Sequence, residues 1–167
     1  MKALLIVESW FGNTRLIAGA VADGAAEAGA QVEMVDVGAA PRVVPEDVDL
    51  LVLGAPTHNL GLSTVATRRK ALAVGASPGN TGMREWLNDV TMRSGVLLAA
   101  FDTNTGHGRL SGSAARSIAR MLARRGLGRS CETLGFVVQG AQGPLNAAET
   151  ERAREWGRTL TLSQPHQ

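Results

Sequence analysis

The chain has 167 residues, enough for one domain with a real core and short for two. An apolar share of 44% with 19% charged residues is ordinary for a globular protein, and a single cysteine, Cys131, excludes an internal disulfide framework and makes a thiolate zinc site implausible. The net charge of +2 is mildly basic, no nucleic-acid motif accompanies it and few aromatics are available to stack on bases, so no nucleic-acid partner is expected.

Lys2 and the apolar run Ala3-Leu4-Leu5-Ile6-Val7 open the chain. The run is too short for a signal-peptide core, and no later stretch approaches membrane-spanning length; a cytoplasmic protein with no membrane insertion is expected. Its composition is that of a strand buried on both faces. Glu8 to Gly12 then forms a tight strand-to-helix turn, and from Asn13-Thr14 onward the apolar residues take up helical spacing. Such a turn aims backbone N–H groups and the positive end of a helix dipole at one spot, which is what holding a phosphate requires. Gly12 permits close approach of the backbone, and the hydroxyls of Ser9 and Thr14 are placed to add hydrogen bonds or, in the plainer alternative, to cap the helix.

The helix predicted from Leu16 to Ala28 stops at Gly29. Gln31 to Val37 alternates as an edge or second strand would, Ala39 to Asp47 reads as a loop around Pro41 and Pro45, and Leu50 to Gly54 is another buried strand. Pro56 to Gly82 has no sustained pattern beyond a short helix over Thr64 to Val74; a long excursion of this kind is usually functional or mobile. Met83 to Thr91 is a helix with Trp86, Leu87 and Val90 on one face, and Gly95 to Phe101 a buried strand. Asp102 to Gly108 is a glycine-rich loop, Ser111 to Arg125 an amphipathic helix, Thr133 to Val138 a strand, and Asn146 to Leu162 the last helix. Trp86 and Trp156 are expected in the core. Cys131, at a strand start, is expected to be structural.

The order β-α-β-β-α-β-α-β-α implies an α/β domain with a parallel sheet and helices on both faces. No repeat or linker interrupts it, so one domain over residues 1–167 is expected. Ligands in such sheets bind outside the carboxyl ends of the strands, where the strand order reverses. Three polar loops leave those ends: Glu8 to Asn13, Ala55 to Ser63 and Asp102 to Leu110. The arginines from Arg116 to Arg129 fall at helical spacing, forming either a solvated face or a docking site for an acidic partner.

Ser9-Trp10-Phe11-Gly12-Asn13-Thr14 resembles the phosphate loop of the flavodoxin family, Ser/Thr-x-Ser/Thr-Gly-x-Thr. Phe11 departs from that pattern and is similar to the quinone-reductase and flavodiiron branches, which also bind FMN. Gly54-Ala55-Pro56-Thr57-His58 resembles the Gly-Ser-Pro-Thr start of the second flavin loop. Asp102-Thr103, with Leu110-Ser111-Gly112-Ser113-Ala114-Ala115, looks like the third loop and next helix of flavodoxin-domain proteins from high-GC bacteria. The resemblance implies a doubly wound, five-stranded flavodoxin-like sheet with FMN as cofactor. By position, Ser9, Trp10, Phe11, Gly12, Asn13 and Thr14 would bind the phosphate. Pro56, Thr57, His58 and Asn59 would border one side of the ring, and Asp102, Thr103, Asn104, Gly106 and His107 the other. With no tyrosine in the chain and no tryptophan in either ring-flanking loop, flavin binding weaker than in an electron-carrier flavodoxin is expected.

Three functions fit these residues. The first is FMN-dependent electron transfer or small-oxidoreductase chemistry with a redox partner protein or a small acceptor such as a quinone. The second is an NAD(P)H:quinone reductase, in which Leu62 to Gly82, with Arg68, Arg69 and Lys70, supplies a lid or dimer contact. The third is a flavin-free interaction module. A receiver domain is disfavoured because Glu8 is followed by Ser9 rather than a second acid, and the dinucleotide-binding Gly-x-Gly-x-x-Gly is absent.

Overall fold

Every strand of the sheet is fed by an apolar run, and the order in which those runs pair decides where the polar loops meet. The computed structural model describes residues 1–77, 79–106, 112–128, 130–140, 143 and 145–163. It contains β1 (Lys2–Val7), α1 (Asn13–Glu27), β2 (Gln31–Asp36), β3 (Leu50–Pro56), α2 (Val65–Leu72), α3 (Met83–Asp89), β4 (Leu97–Asn104), α4 (Ala114–Arg124), β5 (Cys131–Val137) and α5 (Ala147–Leu162). The five strands form one sheet in the order β2-β1-β3-β4-β5, with all neighbours parallel.

Period-two alternation splits each central strand between two cores. Leu4, Ile6, Leu51, Leu53, Leu98 and Ala100 face α3 and α4, where Met83, Trp86, Leu87, Ile118 and Leu122 complete the layer. Ala3, Leu5, Val7, Val52, Ala99 and Phe101 face α1 and α5. Burying each of the larger side chains stabilises the fold by roughly 1.5–3 kcal/mol. Phe101, Phe136 and Trp156 meet edge to face with centroids 5.9–6.2 Å apart, and Trp86 is wholly buried, so both helical tryptophans are in the core. On this side α1 and α5 nearly touch: a Cβ on Gly24 would lie 1.8 Å from the Arg154 carbonyl oxygen, so only glycine permits that approach.

β2 is the edge strand its alternation predicts. The connection from β2 to β3 runs as irregular chain past Pro41 and Pro45, pinned by buried Val44 and Val48. Other elements depart from expectation at their ends. β3 and β4 run on past Gly54 and Phe101 to Pro56 and Asn104, because Ala55 and Pro56 pair with Asp102 and Thr103, which in turn pair with Gly135 and Phe136. The expected loop from Asp102 therefore begins as strand. Between β3 and β4, α2 starts at its cap Thr64, whose hydroxyl accepts from the Thr67 amide. Among the described residues no helix is long and apolar enough to cross a membrane, and no three His, Cys, Asp or Glu side chains gather as metal ligands would.

Candidate functional site

β1 and β3 are neighbours, but the chain leaves β1 toward α1 on one face and β3 toward α2 and α3, with α3 on the other. The crevice at their carboxyl ends is the switch point of the sheet. The Glu8 amide continues the β1 ladder by donating to the Gly54 carbonyl (2.8 Å), after which the chain turns through Ser9 to Gly12. Gly12 is the N-cap of α1 with φ +93°, a left-handed conformation that favours glycine, and a Cβ built there meets nothing within 4 Å. A glycine cannot cap with a side chain, and the first turn of α1 has no acidic residue. The Ser9 hydroxyl receives the Arg15 amide at 3.4 Å.

The N-terminus of α4, at the same edge, is built differently. The first three amides of α4 all go to side chains: Ala114 to Thr57 Oγ1 (3.0 Å), Ala115 to Asp102 Oδ2 (3.1 Å) and Arg116 to the cap hydroxyl of Ser113 (3.1 Å). Asp102 is 1% exposed. Its Oδ2 also accepts from Ser113 Oγ at 2.5 Å, and its Oδ1 accepts from Asn104 Nδ2 at 3.1 Å. One carboxylate thus closes α4 and orients Asn104, whose own Oδ1 receives the Gly106 amide at 3.0 Å.

A second buried carboxylate holds the first loop. Glu8, 2% exposed, accepts from Trp10 Nε1 (3.0 Å) and Ser63 Oγ (2.5 Å) on one oxygen and from the Met83 amide (2.8 Å) on the other. Arg68, 4% exposed, donates to Ser63 Oγ at 2.8 Å. Its second nitrogen lies 3.0 Å from Glu85 Oε2 in an ion pair that lacks the alignment of a hydrogen bond. Burial pushes the Glu85 carboxyl up, but Arg68 and the Gly82 amide outweigh it and hold the group below its usual value. The chain Trp10–Glu8–Ser63–Arg68–Glu85 ties the first loop to α2 and α3.

Between these two supports lies a cleft of about 180 Å³, lined by Trp10, Phe11, Asn13, Thr14, Pro56, Thr57, His58, Thr103, Asn104, Thr105 and Val138. Thr14 and Thr103 join its walls through a hydroxyl pair at 2.8 Å. His58 rests on Trp10 with ring centroids 4.6 Å apart. Burial lowers its pKa below the ordinary histidine value, against the pull of Glu8 and with the push of Lys70, so the imidazole is neutral at pH 7. A histidine whose folded pKa is depressed contributes stability that is fully present above its unfolded pKa and is lost as pH falls toward the folded one. Thermal unfolding between about pH 7.5 and 5 will therefore fall more steeply in the wild type than in His58→Gln. Equal slopes would show a fully solvated imidazole.

No family model and no curated protein matches the sequence. Solved structures do match. They include a flavodoxin from Streptococcus pneumoniae TIGR4 (TM-score 0.68, 16% identity, covering 98% of this chain and 100% of that one). Another is oxidised Flavodoxin 1 from Bacillus cereus (TM-score 0.65, 18% identity, 94% and 95%). A third, the rubredoxin oxygen:oxidoreductase of Desulfovibrio gigas, matches over 97% of this chain but 35% of its own length, with TM-score 0.58 and 16% identity. The chain has the flavodoxin-like fold.

Within this flavodoxin-like frame the three predicted loops do come together. Trp10, Phe11, Asn13, Thr14, Pro56, Thr57, His58, Thr103 and Asn104 line one cleft, with Ser9 and Gly12 in the turn that leads into it. Asn59 sits in an exposed turn that faces a neighbouring groove, and Gly106 borders another hollow beside α4. Asp102 lies beneath the cleft and points to α4 instead of into it. His107, like Leu110 and Ser111 of the third motif, lies outside the described residues. Trp10 is a packed wall, its indole N–H donated to Glu8 and its ring packed with Ala71 and Ala76. Thr105, inside the third predicted loop but not among the expected site residues, also lines the cleft, and Val138 does so without any local signal in the sequence. Glu8 did carry one: an acid ending a wholly apolar strand needs partners.

Proposed function

We propose that the cleft binds FMN and that the protein acts in electron transfer, or as a small oxidoreductase, with a redox partner or small acceptor. The observation that carries this reading is the unequal treatment of the N-termini of α1 and α4 at the sheet edge. The first three amides of α4 all go to side chains, whereas α1 begins at a glycine that offers no side-chain cap and whose Cβ would meet nothing within 4 Å. An anion is favoured at the second kind of end and not at the first. The amides from Trp10 to Thr14, with the Ser9 and Thr14 hydroxyls, would hold the phosphate. A hydroxyl donates once and accepts twice, so Thr14 can keep its bond to Thr103 and still reach a ligand.

Pro56, Thr57, His58 and Asn59 would border the ring on one side, and Thr103 and Asn104, with Gly106 and His107, on the other. The bound flavin supplies one- and two-electron chemistry, while the protein positions it and tunes its surroundings. Neutral His58 has one ring N–H to offer an electron-rich ring oxygen. A cleft of about 180 Å³ is smaller than the roughly 300–1,000 Å³ that enclose a whole ligand, so part of the cofactor would stay open to a partner. The quinone-reductase alternative gives Leu62 to Gly82 the role of a lid or a dimer contact, and as a lid the segment would have to leave Trp10, on which Ala71 and Ala76 pack, and expose the buried Arg68. Electron transfer is therefore the better fit.

The test is titration of the protein with FMN, followed by flavin fluorescence, beside Gly12→Asn and Gly12→Asp. Asparagine tolerates positive φ, so the pair separates backbone strain from charge. Saturable quenching is expected in the wild type, with affinity at least about tenfold lower in the aspartate than in the asparagine variant, because only the former places a charge beside the phosphate. No quenching at micromolar wild-type protein overturns the proposal and leaves the flavin-free module.

A further inference from the structure

Charge is divided unevenly along the chain. From Leu50 to Cys131 there are 11 basic and 3 acidic residues, and in the remainder 6 basic and 12 acidic. Of the three acids, Asp102 is buried and Glu85 is paired with buried Arg68. α4 carries Arg116, Arg120 and Arg124 one turn apart and no acid at all. Two open grooves run along this helix from Leu60. One, of about 520 Å³, includes Arg84, Arg120 and Arg124; the other, of about 630 Å³, includes Arg116 and Arg120. Among the described residues none of these four guanidinium groups has a carboxylate within 4 Å; Arg84 instead donates to the Leu62 and Ser63 carbonyls and Arg120 to Ser117. Arg125, by contrast, is spent on the carbonyls that end α3.

Leu60 stands where the two grooves meet. His58 and Gly61 exchange backbone hydrogen bonds (2.9 and 3.1 Å) around Asn59 and Leu60, whose φ angles are +45° and +72°. That is a type I′ turn, and its preferred sequence is Asn-Gly. A leucine in its place strains the backbone, yet its side chain is 65% exposed and contributes little packing. Strain held at an exposed apolar residue points to a use for that side chain outside the chain itself. The first groove reaches the cleft through His58, which lines both.

We infer that Leu60 and the arginines of α4 form the docking surface for an acidic protein, one that presents carboxylates around an apolar recess. Charge complementarity selects the sign of the partner and speeds the encounter, and the central leucine supplies the desolvated contact. A nucleic acid is the poorer fit, because among the described residues this surface offers no exposed aromatic ring on which bases would stack. That the docked protein exchanges electrons rests on the FMN reading; the docking itself does not.

The test uses the whole chain and a fluorescein-labelled peptide of alternating Glu and Leu, with a Gln-for-Glu peptide and oligothymidylate as controls, followed by anisotropy. The acidic peptide should bind more weakly as salt is raised, and at least about tenfold more weakly to the Arg120→Glu/Arg124→Glu double variant, while Lys2→Gln on the far edge has no effect. Leu60→Gly should raise the unfolding temperature, since it restores Asn-Gly to the turn, and still weaken peptide binding severalfold. No binding, equal binding by the double variant, or oligothymidylate binding as tight as the peptide with no response to Leu60→Gly would each overturn the inference. FMN titration of the double variant keeps the two proposals apart, because its first loop is unchanged.

Discussion

Glu8→Ala is expected to destabilise the protein by about 3–5 kcal/mol, because three buried donors lose their acceptor at about 1–3 kcal/mol each. The carboxylate accepts three hydrogen bonds, from Trp10 Nε1, Ser63 Oγ and the Met83 amide, and the alanine leaves all three donors buried without it. Arg68 would then keep Glu85 as its one nearby carboxylate among the described residues. Glu8→Gln keeps the shape and one acceptor but turns an NH₂ group toward a donor, and should cost roughly half as much. Urea unfolding checks both, with exposed Glu33→Ala as the reference for a change within about 0.5 kcal/mol. A loss below about 1 kcal/mol for Glu8→Ala would mean that water replaces the carboxylate at little cost, and the network would not be a support. Because Trp10 and Phe11 wall the cleft, ligand binding should weaken along with stability.

The sheet and the loops were legible because they depend on local patterns. Apolar runs such as Leu4-Leu5-Ile6-Val7 and Leu50-Leu51-Val52-Leu53 have one good solution, a strand covered on both faces, and the polar residues that follow them must then gather at one edge. Gly12 and Thr14 were legible for the same reason, since turn chemistry is local. What escaped depends on pairs distant in sequence. Arg68 in Arg68-Arg69-Lys70 looks like part of a surface cluster, and only the meeting of β1, α2 and α3 turns it inward onto Ser63 and Glu85. Val138 reaches the cleft because its amide continues the β4 edge by donating to the Asn104 carbonyl (2.8 Å). Asp102 ends an apolar run and so reads as a loop residue beside a ligand. Its partners Ser113 and Ala115 belong to the next helix, and they draw it under the cleft instead of into it.

Asp102 is the counterpart of Glu8 on the other wall, and Asp102→Ala should cost a similar amount, about 3–5 kcal/mol, since three donors lose their acceptor at about 1–3 kcal/mol each. The carboxylate accepts from Ser113 Oγ, the Ala115 amide and Asn104 Nδ2, and it also faces the positive end of α4. Asp102→Asn tests how much of this is charge. It keeps the volume, but if its oxygen accepts from Ser113 and Ala115 its NH₂ faces the Asn104 NH₂. If its oxygen accepts from Asn104, its NH₂ faces the Ser113 hydroxyl and the Ala115 amide, so a loss of about 2–3 kcal/mol is expected. Ser113→Ala, combined with Asp102→Asn in a double-mutant cycle, should show a coupling of at least about 1 kcal/mol, whereas Glu8→Gln with Asp102→Asn should be additive within about 0.5 kcal/mol, because the two networks share no partner. The consequence for function follows from Asn104. In the wild type it is held by Asp102 on one side and the Gly106 amide on the other, and it forms part of the cleft wall. If Asp102 acts through that wall, Asp102→Asn should lower FMN affinity under conditions where the variant remains fully folded, and Ser113→Ala, which leaves Asn104 untouched, should not. Equal affinity in both folded variants would confine Asp102 to the support of α4.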